Sequence, residues 1–104
     1  MGFVYLLECI IDDDSIYKIG FTKDKIQKRI NKLQTGNGYE LIELYKFETQ
    51  YNQKVERRLH KYFSNKRLKG EWFKLNKEDV DNFIQKCEKI ENDFDSLKDN
   101  PFFK

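Results

Sequence analysis

Glu56 lies in a segment in which the other charged residues are all basic, and this setting suits a metal ligand. From Lys54 to Lys69 there are seven basic residues and a single acid. Mg²⁺ favours one or two carboxylates together with water and substrate oxygens, so this carboxylate could hold the ion against a phosphate. His60 follows on the same helical face. An intrahelical salt bridge between Glu56 and His60, or a histidine that only packs, are the open alternatives.

Five further side chains have types suited to phosphate chemistry. Tyr5 and the Tyr17-Lys18 pair lie on two neighbouring β-like segments, where packing is the ordinary role of a tyrosine. Because side chains alternate along a strand, only one of Tyr17 and Lys18 can face a common site. Arg29 could grip a phosphate through two parallel hydrogen bonds, or belong to a solvated basic helix face. Glu71 is either a surface acid or a brace for a basic catalytic residue.

The charge distribution indicates a polyanionic partner. The net charge is only +2, but Lys18 to Lys32 holds six basic residues and one acid, and the second basic segment contains Glu56. Clustered cations of this kind are typical of proteins that bind a phosphate backbone. The candidate backbone contacts are Lys28, Arg57, Arg58, Lys66, Arg67 and Lys69.

Hydrophobic periodicity places these residues on a β-β-α-β-α-β-α succession. Such an order predicts an α+β domain built on a small, mostly antiparallel sheet flanked by helices. The first two strands form a hairpin, and Asn76 caps the last helix. A single domain over residues 1–91 and a C-terminal tail over 92–104 are expected. The expected elements are strands at 3–11, 16–22, 39–49 and 71–75, helices at 25–33, 51–63 and about 77–91, a basic loop at 64–70 and a breaker at Thr35-Gly36-Asn37-Gly38.

Length and composition narrow the class of protein. A chain of 104 residues can bury one modest core. No stretch has the roughly 20 apolar residues of a membrane span, and the first residues do not have the pattern of a signal peptide. Cys9 and Cys87 are widely separated, so reduced thiols are expected and a zinc site is not. A cytoplasmic protein is predicted, or a nuclear one in a eukaryotic or viral host.

Five short motifs in order resemble the GIY-YIG endonuclease superfamily, in particular the branch of phages, large viruses and bacteria with a "YKIG" second motif. The resemblance covers residues 2–75. The first motif has Phe-Val-Tyr in place of Gly-Ile-Tyr and keeps its tyrosine, Tyr5. Lys18 occupies the usual second tyrosine position and is favoured over Tyr17 to face the site. The usual late asparagine has no clear counterpart. The motifs are Phe3-Val4-Tyr5, Lys18-Ile19-Gly20, Arg29, Glu56 with His60, and Gly70-Glu71-Trp72-Phe73.

This resemblance implies phosphodiester hydrolysis with one divalent ion, Mg²⁺ or Mn²⁺, held by Glu56. Tyr5 would orient or deprotonate the attacking water, and nearby cations, Lys18 among them, would have to favour the phenolate. Arg29 would stabilise the charge that builds on the phosphate oxygens. The supporting candidates are His60 for proton transfer or for positioning Tyr5, Glu71 for fixing a cation, and Tyr17.

DNA is the expected partner, and RNA stays open. The chain has little room for a separate sequence-reading domain, so specificity would come from substrate shape, a homodimer or a partner protein. One alternative is a catalytically silent nucleic-acid-binding module of the same fold. A second alternative is a protein-interaction domain that uses the last helix and Phe102-Phe103.

Overall fold

A five-stranded antiparallel sheet with helices on both faces forms the domain. The computed structural model describes residues 1–35 and 38–98, and in them the strand order is β3-β1-β2-β5-β4. The predicted α+β class with a small antiparallel sheet is confirmed. The elements are β1 (Gly2–Ile11), β2 (Asp14–Thr22), α1 (Ile26–Thr35), β3 (Leu41–Thr49), α2 (Asn52–Tyr62), β4 (Arg67–Lys69), β5 (Trp72–Phe73), α3 (Lys77–Asp81) and α4 (Phe83–Lys98).

The hairpin of β1 and β2 is the centre of the sheet. The two strands pair from Phe3 opposite Thr22 to Ile11 opposite Asp14. Asp12 makes the turn in the left-handed region, with φ of 57°, which aspartate adopts more readily than most residues. This register sets Tyr5 directly opposite Gly20, and the pair becomes important below.

Alternation along the central strands produces two cores, one on each face of the sheet. Helices α2 and α4 cover the face that receives Val4, Leu6 and Ile19. Helix α1 covers the other face, with Tyr5 and Leu7. Residues of β2 are therefore divided between two environments. The buried members of the α2–α4 core are Val4, Leu6, Ile19, Val55, Leu59, Phe63, Phe73, Leu75, Phe83, Cys87 and Ile90.

Three details differ from the predicted elements. The basic segment expected as a loop contains β4, which pairs with β5 at the sheet edge. The last helix is divided at Asn82 into α3 and α4, and α4 continues to Lys98 instead of ending near residue 91. Packing explains the added turns. The centre of the Phe94 ring lies 5.6 Å from the centre of the Tyr51 ring, and the Arg58 guanidinium lies over the Phe94 ring.

The start of the last helical segment is as expected. The Asn76 side chain accepts a hydrogen bond from the Asp79 amide, and the Asp79 carboxylate accepts one from the Asn76 amide, which makes a capping box. Part of the expected breaker, residues 36 and 37, and the tail residues 99–104 with Phe102-Phe103 lie outside the described residues. Within 1–35 and 38–98, none of the helices has the length and apolar character needed to cross a bilayer.

Candidate active site

Tyr5 and Arg29 meet on the α1 face of the sheet. Tyr5 is completely buried, and its hydroxyl oxygen accepts a hydrogen bond from Arg29 Nε at 3.4 Å. A Cβ atom at position 20 would overlap the Tyr5 hydroxyl, so glycine opposite this tyrosine makes room for the ring. The hairpin register and the position of Arg29 on α1 together fix this contact.

Burial raises the pKa of Tyr5 above its usual value of 10.0, and the neighbouring Arg29 lowers it by less. The phenol is therefore protonated at neutral pH. The condition that nearby cations, Lys18 among them, favour the phenolate is not met in this arrangement, because the pKa of Tyr5 is raised and the Lys18 ammonium pairs with Glu71. The pKa of Arg29 is raised, chiefly by its hydrogen bond to Tyr5, and the guanidinium stays charged.

Lys18 lies on the same sheet face as Tyr5, and Tyr17 lies on the other. The Lys18 ammonium donates a hydrogen bond to Glu71 Oε2 at 3.0 Å and lies 5.2 Å from the centre of the Trp72 ring. Trp72 packs against the core that contains Tyr5, whereas Tyr17 packs against the α2–α4 core. Of the two strand neighbours, the structure brings only Lys18 into the group around Tyr5.

Glu56 is buried on the inner side of α2, with 8% of its surface exposed. Its Oε1 lies 3.7 Å from His60 Nε2, and its Oε2 is a buried oxygen without a hydrogen-bond partner among the described residues. Burial raises the pKa of Glu56 to about 7, and both the charge of Glu71 and a hydrogen bond between the protonated carboxyl and Glu71 add to this shift. A buried carboxylate beside a second carboxylate is costly unless a cation joins them.

His60 is held by the backbone of β2. Its Nε2 lies 2.8 Å from the Ile19 carbonyl oxygen, and its ring packs edge-on against Phe73 at 4.9 Å. A carbonyl oxygen can only accept, so Nε2 carries the proton and donates it to Ile19. This hydrogen bond fixes the ring next to Glu56. Within the described residues it is Ile19, not Tyr5, that accepts from His60.

Three potential ligand groups lie close to one another, and the two acids among them are within electrostatic reach of Tyr5. One ligand atom each from Glu56, His60 and Glu71 lies within 4.8 Å of the others. The two carboxylates are the better donors for a hard divalent ion, since His60 Nε2 is already engaged with Ile19. When Glu56 is ionised, no donor among the described residues reaches its buried Oε2, and a bound cation would satisfy this oxygen.

Glu71 links the two parts of the site. It forms an ion pair with Lys18, and its charge raises the pKa values of Tyr5 and Glu56. Its backbone carbonyl also accepts a hydrogen bond from the Ile19 amide at 3.1 Å, just beyond the β5 pairing. One of the two roles expected for Glu71 was to brace a basic catalytic residue, and the structure pairs it with Lys18, 53 residues earlier in the chain.

The six predicted backbone-contact residues have different surroundings. Lys28, Arg57 and Lys69 are exposed. Lys66 is half-buried and pairs with Asp79 at 2.6 Å, which assigns it to holding α3 against the turn before β4. The other two also make contacts within the protein: Arg58 lies 4.0 Å from Asp93, and Arg67 Nε donates to the Gly70 carbonyl at 2.7 Å.

The fold and the site define a small α+β domain in which two acids, two cations and a buried phenol meet between the sheet, α1 and α2. Comparison with protein-family models matches residues 2–88 to the T5orf172 domain. Since the match covers most of the chain, the chain belongs to the T5orf172 domain family, which is associated with nuclease-like and DNA-binding functions. Neither curated proteins nor solved structures give a significant match.

This match corrects the family predicted from the motifs. The chain belongs to a different family from the GIY-YIG superfamily, so that identification was wrong. The short motifs that suggested it also have packing explanations in this fold. Gly20 clears space for Tyr5, and Phe73 is a buried member of the α2–α4 core. Residues that are needed for such packing contacts can therefore match a short motif of a family to which the chain does not belong.

Proposed function

We propose that this domain is a divalent-metal-dependent endonuclease that hydrolyses phosphodiester bonds in DNA. The observation that carries the proposal is the buried, unpartnered Oε2 of Glu56 beside a second carboxylate. A phenol and a guanidinium lie within electrostatic reach of this pair. Acids that hold a cation and cations that hold a phosphate are the groups that phosphodiester hydrolysis requires.

Glu56 and Glu71 would hold one Mg²⁺ or Mn²⁺ ion. When bound, such an ion polarises the phosphate and stabilises the leaving oxygen. The chain's own contribution is to keep both carboxylates in place. Lys18 holds Glu71 through a hydrogen bond, and the hydrogen bond of His60 to Ile19 fixes the imidazole 3.7 Å from Glu56 Oε1. His60 and Lys18 are therefore positioning residues in this proposal.

Tyr5 would orient the attacking water instead of deprotonating it. Its raised pKa keeps the hydroxyl protonated, and its oxygen already accepts from Arg29. The hydroxyl proton is thus available to donate to a water or a phosphate oxygen. Arg29 uses Nε to hold Tyr5 and retains its terminal N–H groups for the phosphate oxygens, where charge builds in the transition state.

A catalytically silent DNA-binding module is the second candidate. The observation that favours it is the combination of a neutral Tyr5 with a Lys18 ammonium engaged by Glu71, which leaves neither group as a strong base. The protein-interaction alternative drew on the last helix and on Phe102-Phe103, and these two phenylalanines lie outside the described residues. Cleavage separates the two nucleic-acid candidates directly.

The test is cleavage of supercoiled plasmid, branched DNA and single-stranded RNA in Mg²⁺, Mn²⁺ or EDTA. We expect nicking of DNA that requires metal and falls at least about a hundredfold in Glu56→Gln. Glu43→Gln is the matched control, because it makes the same chemical change at an exposed carboxylate on β3. Metal-dependent nicking that persists in Glu56→Gln, or binding without cleavage under every metal, would reject the proposal.

A further inference from the structure

The outer surface of α2 and the facing side of α4 form a second cationic site, away from the candidate active site. A cavity of about 410 Å³ between the two helices is lined by Arg58, Lys61, Tyr62, Lys86, Lys89 and Asp93, together with Ile90. Four cations therefore face one carboxylate. This excess is unusual for a solvated helix face, where charges of both signs commonly alternate.

The cations of this cavity are only weakly neutralised within the described residues. Arg58 lies 4.0 Å from Asp93, a distance at the limit of an ion pair. The Lys86 ammonium lies 3.7 Å from the centre of the half-exposed Tyr62 ring, which holds it at the cavity without cancelling its charge. Each helix also places two cations three residues apart, an arrangement that is unfavourable unless an anion lies between them.

The positive charge continues along α2 into a neighbouring hollow of about 220 Å³ that Lys54, Arg57, Arg58 and Lys61 line with Phe94. From Lys54 to Lys61 the helix rises about 10 Å, which spans about three phosphates of one DNA strand. An extended polyanion matches a cationic stripe of this length better than a single small anion does.

The cavity and the neighbouring hollow together form one cationic surface, the α2–α4 groove. We propose that this groove binds the phosphate backbone of a second nucleic-acid segment, different from the one held at the candidate active site. Around the helix, Lys61 is about 140° and Arg58 about 200° from Glu56, so the groove lies on the far side of α2. A helix with its side chains is about 10–12 Å across, so one phosphate cannot contact both places. The inference rests on the proposed nucleic-acid partner but not on cleavage.

The experiment measures binding in EDTA, so that cleavage plays no part. A fluorescein-labelled duplex of about 30 base pairs is titrated at several salt concentrations, with fluorescence anisotropy as the readout. We expect Lys86→Gln/Lys89→Gln to weaken binding about tenfold at moderate salt and to reduce the salt slope by about 2. The control is Lys46→Gln/Lys77→Gln, which removes the same charge at two exposed lysines outside the groove and outside both basic segments.

Amide chemical-shift mapping of the unmodified protein tests the location without any substitution. Shifts at Lys86 and Lys89, in addition to those near Arg29, support the groove. Shifts confined to the Arg29 side, or a control pair that weakens binding equally, would overturn it. Anionic phosphatidylserine vesicles are the last arm: vesicle binding that depends on these lysines while duplex binding does not would replace the nucleic acid with a membrane surface. If the chain binds DNA through these lysines but never cuts it, the nuclease proposal is rejected and the groove proposal stands.

Discussion

Replacing Glu56 by Gln is expected to stabilise the fold at alkaline pH while it abolishes cleavage. The carboxyl is buried next to Glu71, and its pKa is about 7 in the folded chain against an ordinary value of 4.5. The folded state therefore binds a proton that the unfolded state has already released between these values. The stabilisation that this bound proton gives to the folded state is fully present below pH 4.5 and is lost as the pH rises through about 7.

The size of the effect follows from the same two pKa values. At about 1.4 kcal/mol per pKa unit, ionised Glu56 lowers the free energy of unfolding by about 3 kcal/mol at pH 8. At pH 5 the same relation gives about 1 kcal/mol, because most of the folded chains are still protonated there. Gln has nearly the same shape and no charge, so Glu56→Gln should gain about 3 kcal/mol at pH 8 and about 1 kcal/mol at pH 5.

Urea unfolding in EDTA at the two pH values measures this difference, with Glu43→Gln as the exposed control. Saturating Mg²⁺ adds a second readout, since a ligand at about 100 times its dissociation constant stabilises the native state by about 2.7 kcal/mol. That gain should occur in the wild type and be absent from Glu56→Gln. An equal gain at both pH values, a loss of stability at pH 8, or Mg²⁺ stabilisation that survives the substitution would refute the reasoning.

Three further substitutions probe the rest of the site. Tyr5→Phe removes the acceptor of the Arg29 hydrogen bond and the proton offered to water. We expect kcat to fall about a hundredfold while DNA affinity in EDTA stays unchanged. An unchanged kcat would contradict the orienting role of Tyr5. Gly20→Ala places a methyl group against the buried Tyr5 hydroxyl and should cost about 1–3 kcal/mol in urea unfolding; a neutral result would show that the ring can move aside. Glu71→Gln removes a charge that adds to the effect of burial on the pKa of Glu56. The pH range in which the fold loses stability should therefore move to lower pH. An unchanged dependence of stability on pH would leave burial as the sole cause of the raised pKa.

Local patterns in the sequence predicted the elements that local interactions determine. Alternating apolar residues gave the hairpin, and the Asn76 cap was anticipated because a capping box depends on neighbours in the chain. β4 was missed because three exposed residues, Arg67–Lys69, have no apolar pattern, and only pairing with β5 makes them a strand. The extra turns of α4 depend on the contact of Phe94 with Tyr51, which no helical period reveals.

The candidate site depends more strongly on tertiary contacts. Lys18 was correctly separated from Tyr17 by strand alternation, but its partner Glu71 is 53 residues away and changes what Lys18 can do. The acceptor of His60 is the backbone carbonyl of Ile19, a group that every residue possesses and that no sequence motif marks. Their proposed roles in catalysis remain predictions until the substitutions are measured.

The surroundings of Glu56 show why charge counted along a sequence can mislead. In the sequence this acid is flanked by cations, which suggests a neutralised carboxylate. On α2, however, Arg57 and Arg58 follow at about 100° and 200° around the helix and point toward solvent. Burial and Glu71 therefore outweigh the lowering effect of Arg57 on the pKa of Glu56. Helix α2 thus presents an under-neutralised acid to the sheet and weakly neutralised cations to the outside. A divalent ion on the first side and a polyanion on the second would each relieve a charge imbalance that the fold itself creates.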